Sequence, residues 1–462
     1  MSIGSSNGGR MAPRLPAHGR LVASGALARP ASSAHGAAAW LTLIACTTPA
    51  AMTIFIGGSK FTPGRVAICL LLFPALFELF RKGRHLILSD LLVCLTSVWI
   101  VAATFSADPE SWSSGFALVV EFLGGYIVAR AFFFGRPALE AFIGALKFVT
   151  IVVIALAALE HLTQHIVTYN LVAALWGLPS FGPEYRYGML RAFSTFPHPI
   201  LYGTFCVVAG AVFLYSERSL PGRVLYTGGC FFGCVLAVSS APLMSFMIVL
   251  AVYFYDRLLR RYPWRWYLLV TVSIVLFAVV FAVANKPVSW IVSHLTLDPS
   301  TGYFRVATWD SAFYYIGLSP YVGYGFEAYG EVGDFFGNAS VDSVWLTLAL
   351  RFGIPAIVFL FLANVAAFYR SGEGAGDRRR DPYMSRMRTA FTLVLVVFMF
   401  AGLTVHYWNN IWMLWGICVG VRGSLQEHYL AAARSAVSQR RGRSWPAHAL
   451  GLGQPTMVGR PR

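Results

Sequence analysis

The chain has 462 residues, of which 57% are apolar and only 12% charged, with a net charge of +16. A soluble domain carries roughly 25% charged residues, so these figures exclude an ordinary soluble enzyme, a disordered chain and a coiled coil. The seven cysteines all sit inside apolar runs, where they read as small hydrophobes and not as a disulfide framework. An all-α polytopic membrane protein remains.

A helix needs about 20 mostly apolar residues to cross the hydrocarbon core. In chain order, twelve stretches qualify as expected spans: 37–57, 66–80, 86–105, 114–134, 138–159, 198–215, 223–240, 241–256, 266–284, 342–369, 389–406 and 409–422. Together they predict a transmembrane domain over 37–422. A basic tail, expected to be disordered, precedes it over 1–36, and a second basic tail follows over 423–462. The stretch before residue 36 lacks the short apolar core and cleavage site of a signal peptide. The seventh and eighth spans abut at Ser239-Ser240-Ala241-Pro242, a tight turn from which proline can open a helix.

The basic residues recur in short clusters between spans and form no continuous face, which argues against a nucleic-acid partner and for an orientation signal. With both termini cytoplasmic, 28 Lys and Arg fall inside, six outside and two within spans. Two outer connections are long, 160–197 and 285–341, the second being the large periplasmic loop between the ninth and tenth helices. Their aromatics, among them Trp176, Phe181, Trp290, Tyr303 and Trp309, suit short interfacial helices. Connections of that length are usually functional, so the working side is expected to be the outer one.

Three constellations there can carry chemistry. Arg191 stands seven residues before His198-Pro199, which opens the sixth span; a helix N-terminus offers free N–H groups and a positive dipole end to an anion such as phosphate. Arg305 and Trp309 are four apart, so on a helix they share a face. There a guanidinium can bind phosphate or carboxylate through two hydrogen bonds, beside an indole that can stack on a sugar. Each has a structural alternative: an interfacial anchor and local cap for Arg191 and His198, pairing with Asp310 or Asp298 for Arg305.

The third runs from Pro320-Tyr-Val-Gly323-Tyr-Gly325 to Asp342-Ser343 at the mouth of the tenth span. Asp342 can serve as a general base or equally as a helix N-cap. Arg351, about 13 Å further down that helix at 1.5 Å per residue, is costly there unless it faces a polar path or a partner such as Glu121. Lys147, Asp90 and Glu121 are weaker cases of the same kind. The histidines show no metal-ligand spacing, and no metal site is expected.

In this order the pieces resemble the O-antigen ligase and polysaccharide polymerase family of bacterial envelope glycosyltransferases. The likeness spans roughly residues 37–422. It rests on Arg191-x6-His198-Pro199, the Ser239-Ser240 turn, Arg305-x3-Trp309, Pro320-x2-Gly323-x-Gly325, a polar residue entering the tenth span, and Gly353. The resemblance implies a multi-pass protein of the inner membrane with its active site facing the periplasm. It also implies undecaprenyl-diphosphate-linked glycans as donor and acceptor, no cofactor, and chain-length regulators and export proteins as possible partners.

Carried over, Arg191 and Arg305 bind the diphosphate and stabilise it as it leaves, while Asp342, with His198 second, takes the acceptor proton in an inverting, metal-independent transfer. Arg351, Trp309 and Tyr303 would line a substrate path. Ligases of the family have His-Asn where this chain has Asp342-Ser343, and an Arg where Ser240 is followed by Ala241-Pro242. These departures turn the expectation from lipid A core ligase towards exopolysaccharide polymerase. A twelve-span transporter is the competing class, but the two halves of the chain show no repeat.

Overall fold

The computed structural model describes residues 33–57, 59–285, 290, 299–326, 341–369 and 381–443. Most of the first basic tail, residues 444–462 of the second and much of the second long connection lie outside the described residues, as does the side chain of Tyr303.

The helices in chain order are α1 (Ser33–Thr47), α2 (Pro63–Leu79), α3 (Leu88–Ala107), α4 (Trp112–Val119), α5 (Gly125–Phe132), α6 (Arg136–Thr163), α7 (Val167–Trp176), α8 (Pro199–Ser216), α9 (Leu220–Leu236) and α10 (Ser240–Leu258). They continue with α11 (Arg265–Val283), α12 (Pro299–Leu318), α13 (Val344–Phe368), α14 (Pro382–Ala401) and α15 (Asn410–Arg443). A π-helical turn, Val120–Gly124, joins α4 to α5 as one rod. Each of the twelve expected spans falls on one of these helices.

Among the described residues, eight segments are long and apolar enough to cross a bilayer: α3, the α4–α5 rod counted from Pro109, α6, α8, α10, α11, α13 and α14. The others depart from the hydropathy reading for local reasons. The run 37–57 does not stay helical: α1 ends at Thr47, just before Pro49, and Ile54–Ile56 pairs antiparallel with Ser59–Phe61 as a small hairpin, β1–β2. Helices α2 and α9 have 17 residues each, and the 34-residue α15 runs on into the polar tail.

Helix α8 is the centre of the bundle. Every residue from Pro199 to Ser216 except Ile200 is buried, as an apolar-all-round helix requires, and it packs on α9, α10 and α14. Helix α13 lies along α3, and α15 packs on α5 and α14. The outer surface is apolar: on α2, Leu70, Phe73 and Phe77 form one stripe that is 66–81% exposed, the surface a lipid solvent favours.

The bundle end near the start of α3 is closed by a buried ion network. Arg130 donates Nε to Asp90 Oδ1 at 2.8 Å and Nη1 to Glu427 Oε2 at 2.6 Å. Arg84 donates to both Glu427 oxygens, at 3.0 and 3.2 Å through Nε. Each charge has an opposite neighbour, which is the condition for tolerating buried ions. Two other charges read as intramembrane candidates are also paired: Glu121 with Arg65 at 2.8 Å, and Lys147 with Glu217.

Helix α13 is broken at Gly353, whose φ of 77° is left-handed, and Pro355 follows. Since Ile354 N–H donates to the Pro320 carbonyl at 2.8 Å and Pro355 has no N–H, the carbonyls of Leu350 and Arg351 lose their intrahelical donors. The Pro320–Phe326 loop replaces them: Tyr324 N–H donates to Leu350 O at 2.7 Å and Gly325 N–H to Arg351 O at 3.0 Å. Trp99 Nε1 donates to Phe352 O at 2.9 Å. A membrane helix can be interrupted where neighbours re-satisfy its backbone, and these three donors do so.

Candidate functional site

A cavity of about 400 Å³ opens at the other end of the bundle, lined by Arg186, Arg191, His198, Ile200, Ser239, Ser240, Arg305, Val341, Asp342, Val405, His406 and Trp408. Three helices begin there: α8 with His198 as N-cap, α10 with Ser239, and α13 with Ser343. Ser239 makes no side-chain cap, which leaves the first-turn N–H groups of α10 available to an anion. Three positive dipole ends therefore face the same space as three guanidinium groups.

The arginines arrive from two elements. Strands β3 (Tyr185–Arg186) and β4 (Met189–Leu190) form a hairpin in which Arg186 pairs with Met189. Its turn residues Tyr187 and Gly188 have φ of 54° and 75°, the positive pair that a two-residue type I′ turn requires. Alternation puts Arg191, two residues beyond Met189, on the same face as Arg186, and Arg191 N–H extends the ladder to Glu184 O at 2.9 Å. Arg191 Nη1 is bonded to Glu184 Oε2 at 2.8 Å, but its buried Nε has no partner among the described residues.

Arg305, on α12, is 8% exposed, and its Nε and Nη1 have no hydrogen-bond partner among the described residues. No carboxylate lies within ion-pair distance of it among the described residues, so Asp310 does not serve as its partner, and Asp298 lies outside them. Burial lowers the pKa of both arginines, while Asp342 acts in the opposite direction on each. Such unpaired buried donors are expensive in a protein alone and match the oxygens of a phosphate or carboxylate.

The segment from Arg191 to His198 is held by Glu160. This buried carboxylate accepts from Phe193 N at 2.9 Å and Ser194 N at 2.8 Å. Ser194, with a φ of 54°, donates its hydroxyl to Val153 O at 2.7 Å. His198 Nδ1 accepts from Ile200 N at 3.2 Å, so in the neutral ring the proton sits on Nε2. Burial, then the charges of Arg191 and Arg186, pull its pKa down to about 4, which keeps it neutral at pH 7. His198 therefore presents a donor to the cavity and is poorly placed to accept a proton through Nε2.

Asp342 is not the N-cap of α13. Ser343 has that place, its Oγ accepting from Leu346 N at 3.4 Å and donating to Gly402 O at 3.0 Å, so the Asp342 carboxylate is left on the cavity wall. His406 and Trp408, which sequence reasoning did not select, complete that wall from the connection between α14 and α15. The connection is stapled to α13 by Val344 N–H, which donates to Gly402 O at 3.1 Å and Val405 O at 3.0 Å.

Among the residues expected to serve the site, the cavity gathers Arg191, His198, Arg305 and Asp342. Trp309 is not on its wall: it is 6% exposed and packs with Ala312, Ile316, Val341, Leu346, Ala349 and Leu350, fastening α12 to α13. Arg351 is also off the wall, its guanidinium 4.7 Å from the centre of the Phe326 ring, and Glu121 pairs with Arg65 instead of with it. Arg186 was counted only as an outer basic residue. The Tyr-Gly pair after it was the available signal, since a two-residue turn there sets Arg186 and Arg191 on one face.

Residues 225–361 match a family model described as O-Antigen ligase. The matched stretch contains Ser239-Ser240, Arg305, Asp342 and Gly353; the hairpin arginines and His198 lie before it, and His406 and Trp408 after it. No curated protein matches the chain.

Proposed function

From the match of residues 225–361 to a family model described as O-Antigen ligase, we propose that the chain polymerises undecaprenyl-diphosphate-linked oligosaccharide repeat units, with the cavity as its active site at the periplasmic face of the bacterial inner membrane. The observation that carries the proposal is the pair of buried guanidinium groups with unpartnered nitrogens, Arg191 Nε and Arg305 Nε and Nη1, in one electropositive cavity.

In this reading the donor diphosphate enters among Arg186, Arg191, Arg305 and the starts of α8 and α10. The diphosphate takes up the unpartnered nitrogens of Arg191 and Arg305, and the Asp342 carboxylate stands on the same cavity wall. Asp342 then removes the proton from the acceptor hydroxyl. The hydroxyl oxygen bonds to the anomeric carbon, the bond from that carbon to the diphosphate oxygen breaks, and the electron pair leaves with the lipid diphosphate. Developing charge on the leaving group meets donors already in place, which is where preorganised electrostatics act. His198 donates through Nε2 to the same group.

Asp342 in place of a histidine supports the polymerase reading over a lipid A core ligase; in both, the donor chemistry is the same. The test is incubation of the purified protein in lipid nanodiscs with a lipid-linked repeat unit. Longer glycans and free undecaprenyl diphosphate are expected, with both lost in Arg305→Lys. Consumption of donor with no lengthening of the glycan overturns the polymerase reading.

A further inference from the structure

The cavity has an aromatic wall as well as a cationic one. The Trp408 ring stands between two imidazoles, with ring centres 6.0 Å from His198 and 5.4 Å from His406. The buried tryptophans nearby give their indole N–H to the protein: Trp345 to Met399 O, Trp412 to Leu118 O and Trp415 to Asn364 Oδ1, each within 3.0 Å. Trp408 has no such acceptor among the described residues, and it faces the cavity. His406 likewise has no hydrogen-bond partner among them. Both side chains are half-buried, so their ring nitrogens can take a partner from a molecule in the cavity.

This wall is held rigidly. On one side Val344 N–H and Ser343 Oγ bind the Gly402–Val405 backbone. On the other, Asn410 Nδ2 donates to Cys46 O at 2.7 Å and Thr48 O at 3.0 Å. A flat apolar ring with hydrogen-bonding nitrogens at its edges matches a pyranose, which has an apolar C–H face and a rim of hydroxyls. A diphosphate needs none of this, and an apolar lipid tail has no use for the edge donors.

We propose that Trp408, flanked by His406 and His198, is a carbohydrate subsite that stacks one pyranose ring of the substrate glycan, with His406 hydrogen-bonding its hydroxyls. The proposal rests on the diphosphate reading of the arginine wall and extends it to the sugar. The ring belongs either to the lipid-linked donor or to the acceptor end of the growing chain. The same wall serves both chemistries.

The test measures binding to the full chain in nanodiscs with three probes: undecaprenyl diphosphate without sugar, lipid-linked repeat unit from a strain lacking this protein, and the lipid-free repeat oligosaccharide. In the wild type, a sugar-bearing probe gains a glycan-dependent affinity increment. Trp408→Ala removes about tenfold of it, about 1.4 kcal/mol, with binding of the bare lipid unchanged, and Trp408→Phe retains it. Loss confined to the lipid-linked probe assigns the donor ring; loss with the free oligosaccharide assigns the acceptor ring. His406→Gln, which keeps an edge donor, loses less than His406→Ala.

Survival of the increment in Trp408→Ala, or its absence in the wild type, overturns the subsite while leaving the arginine wall intact. Failure of the wild type to bind the bare lipid diphosphate overturns the diphosphate reading, and the subsite with it.

Discussion

Gly353 stands against the backbone of Tyr321: a Cβ placed on the glycine would lie 1.9 Å from the Tyr321 carbonyl oxygen. With its φ of 77°, the position demands glycine twice over, for conformation and for space. The contact is what lets the Pro320–Phe326 loop cover the carbonyls of the broken α13. Gly323 and Gly325 are equally confined: their Cβ atoms would sit 2.5 Å from Leu350 O and 2.2 Å from the Asp108 Cβ.

Gly353→Ala is therefore expected to undock the loop and destabilise the protein by about 3 kcal/mol, more than a single left-handed alanine costs elsewhere. Thermal unfolding in detergent checks this. Gly57→Ala, also at positive φ but with open space around its Cβ, serves as the comparison and should cost less.

Glu160 sets the backbone between the two halves of the cavity's cationic wall. Replacing it with Ala leaves the N–H groups of Phe193 and Ser194 without their acceptor in a buried position. Transfer activity should fall at least about tenfold, because misplacing a positioning group by a fraction of an ångström is costly. Glu160→Gln, which keeps one acceptor oxygen, should recover part of it. Equal activity of Glu160→Ala and wild type would remove Glu160 from the account.

The imidazoles give an acid-side prediction. His198 and His406 are held down to about 4 and about 3, the first by burial and the charges of Arg191 and Arg186, the second by burial and Arg351. An unfolded histidine titrates near 6.5, so between that pH and the folded values the unfolded state binds more protons. The stabilisation is thus present above pH 6.5 and is lost as pH falls towards 4. His198→Asn keeps an N-cap residue for α8 and removes one of the two titrations. Its thermal midpoint should decline less than that of the wild type from pH 7 to pH 4.5; an identical decline would contradict the assignment.

At the far end of the bundle, Arg130→Met leaves Asp90 and Glu427 with fewer cationic partners in a buried place. Removing one member of such a network costs about 3–5 kcal/mol, read as a lower thermal midpoint. Cavity chemistry measured below that midpoint should be unaffected, because Arg130 is far from the arginine wall.

The positions of the helices were legible because lipid imposes length and apolarity on each segment, and the run from Pro199 to Ser216 shows this most simply. The ends were not: hydropathy continued smoothly through Ile54–Ile56, where the chain turns into a hairpin. Arg191, His198 and Asp342 could be read as polar residues ahead of the sixth and tenth spans, and Arg305 as a cation of the large outer loop four residues before Trp309. Trp309 could not be told from a sugar-binding tryptophan, since the i, i+4 spacing with Arg305 does not say which of the two faces a neighbouring helix. His406 and Trp408 were hidden inside an apolar run, because only the stapling of Gly402–Val405 onto α13 turns that connection into the cavity.

The most direct measurement is a structure of the protein in nanodiscs with undecaprenyl diphosphate bound. The account predicts phosphate oxygens within hydrogen-bond distance of Arg305 Nε or Nη1 and of Arg191 Nε, with Asp342 beside them. A diphosphate seated away from this cavity, with both guanidinium groups unchanged, would contradict it.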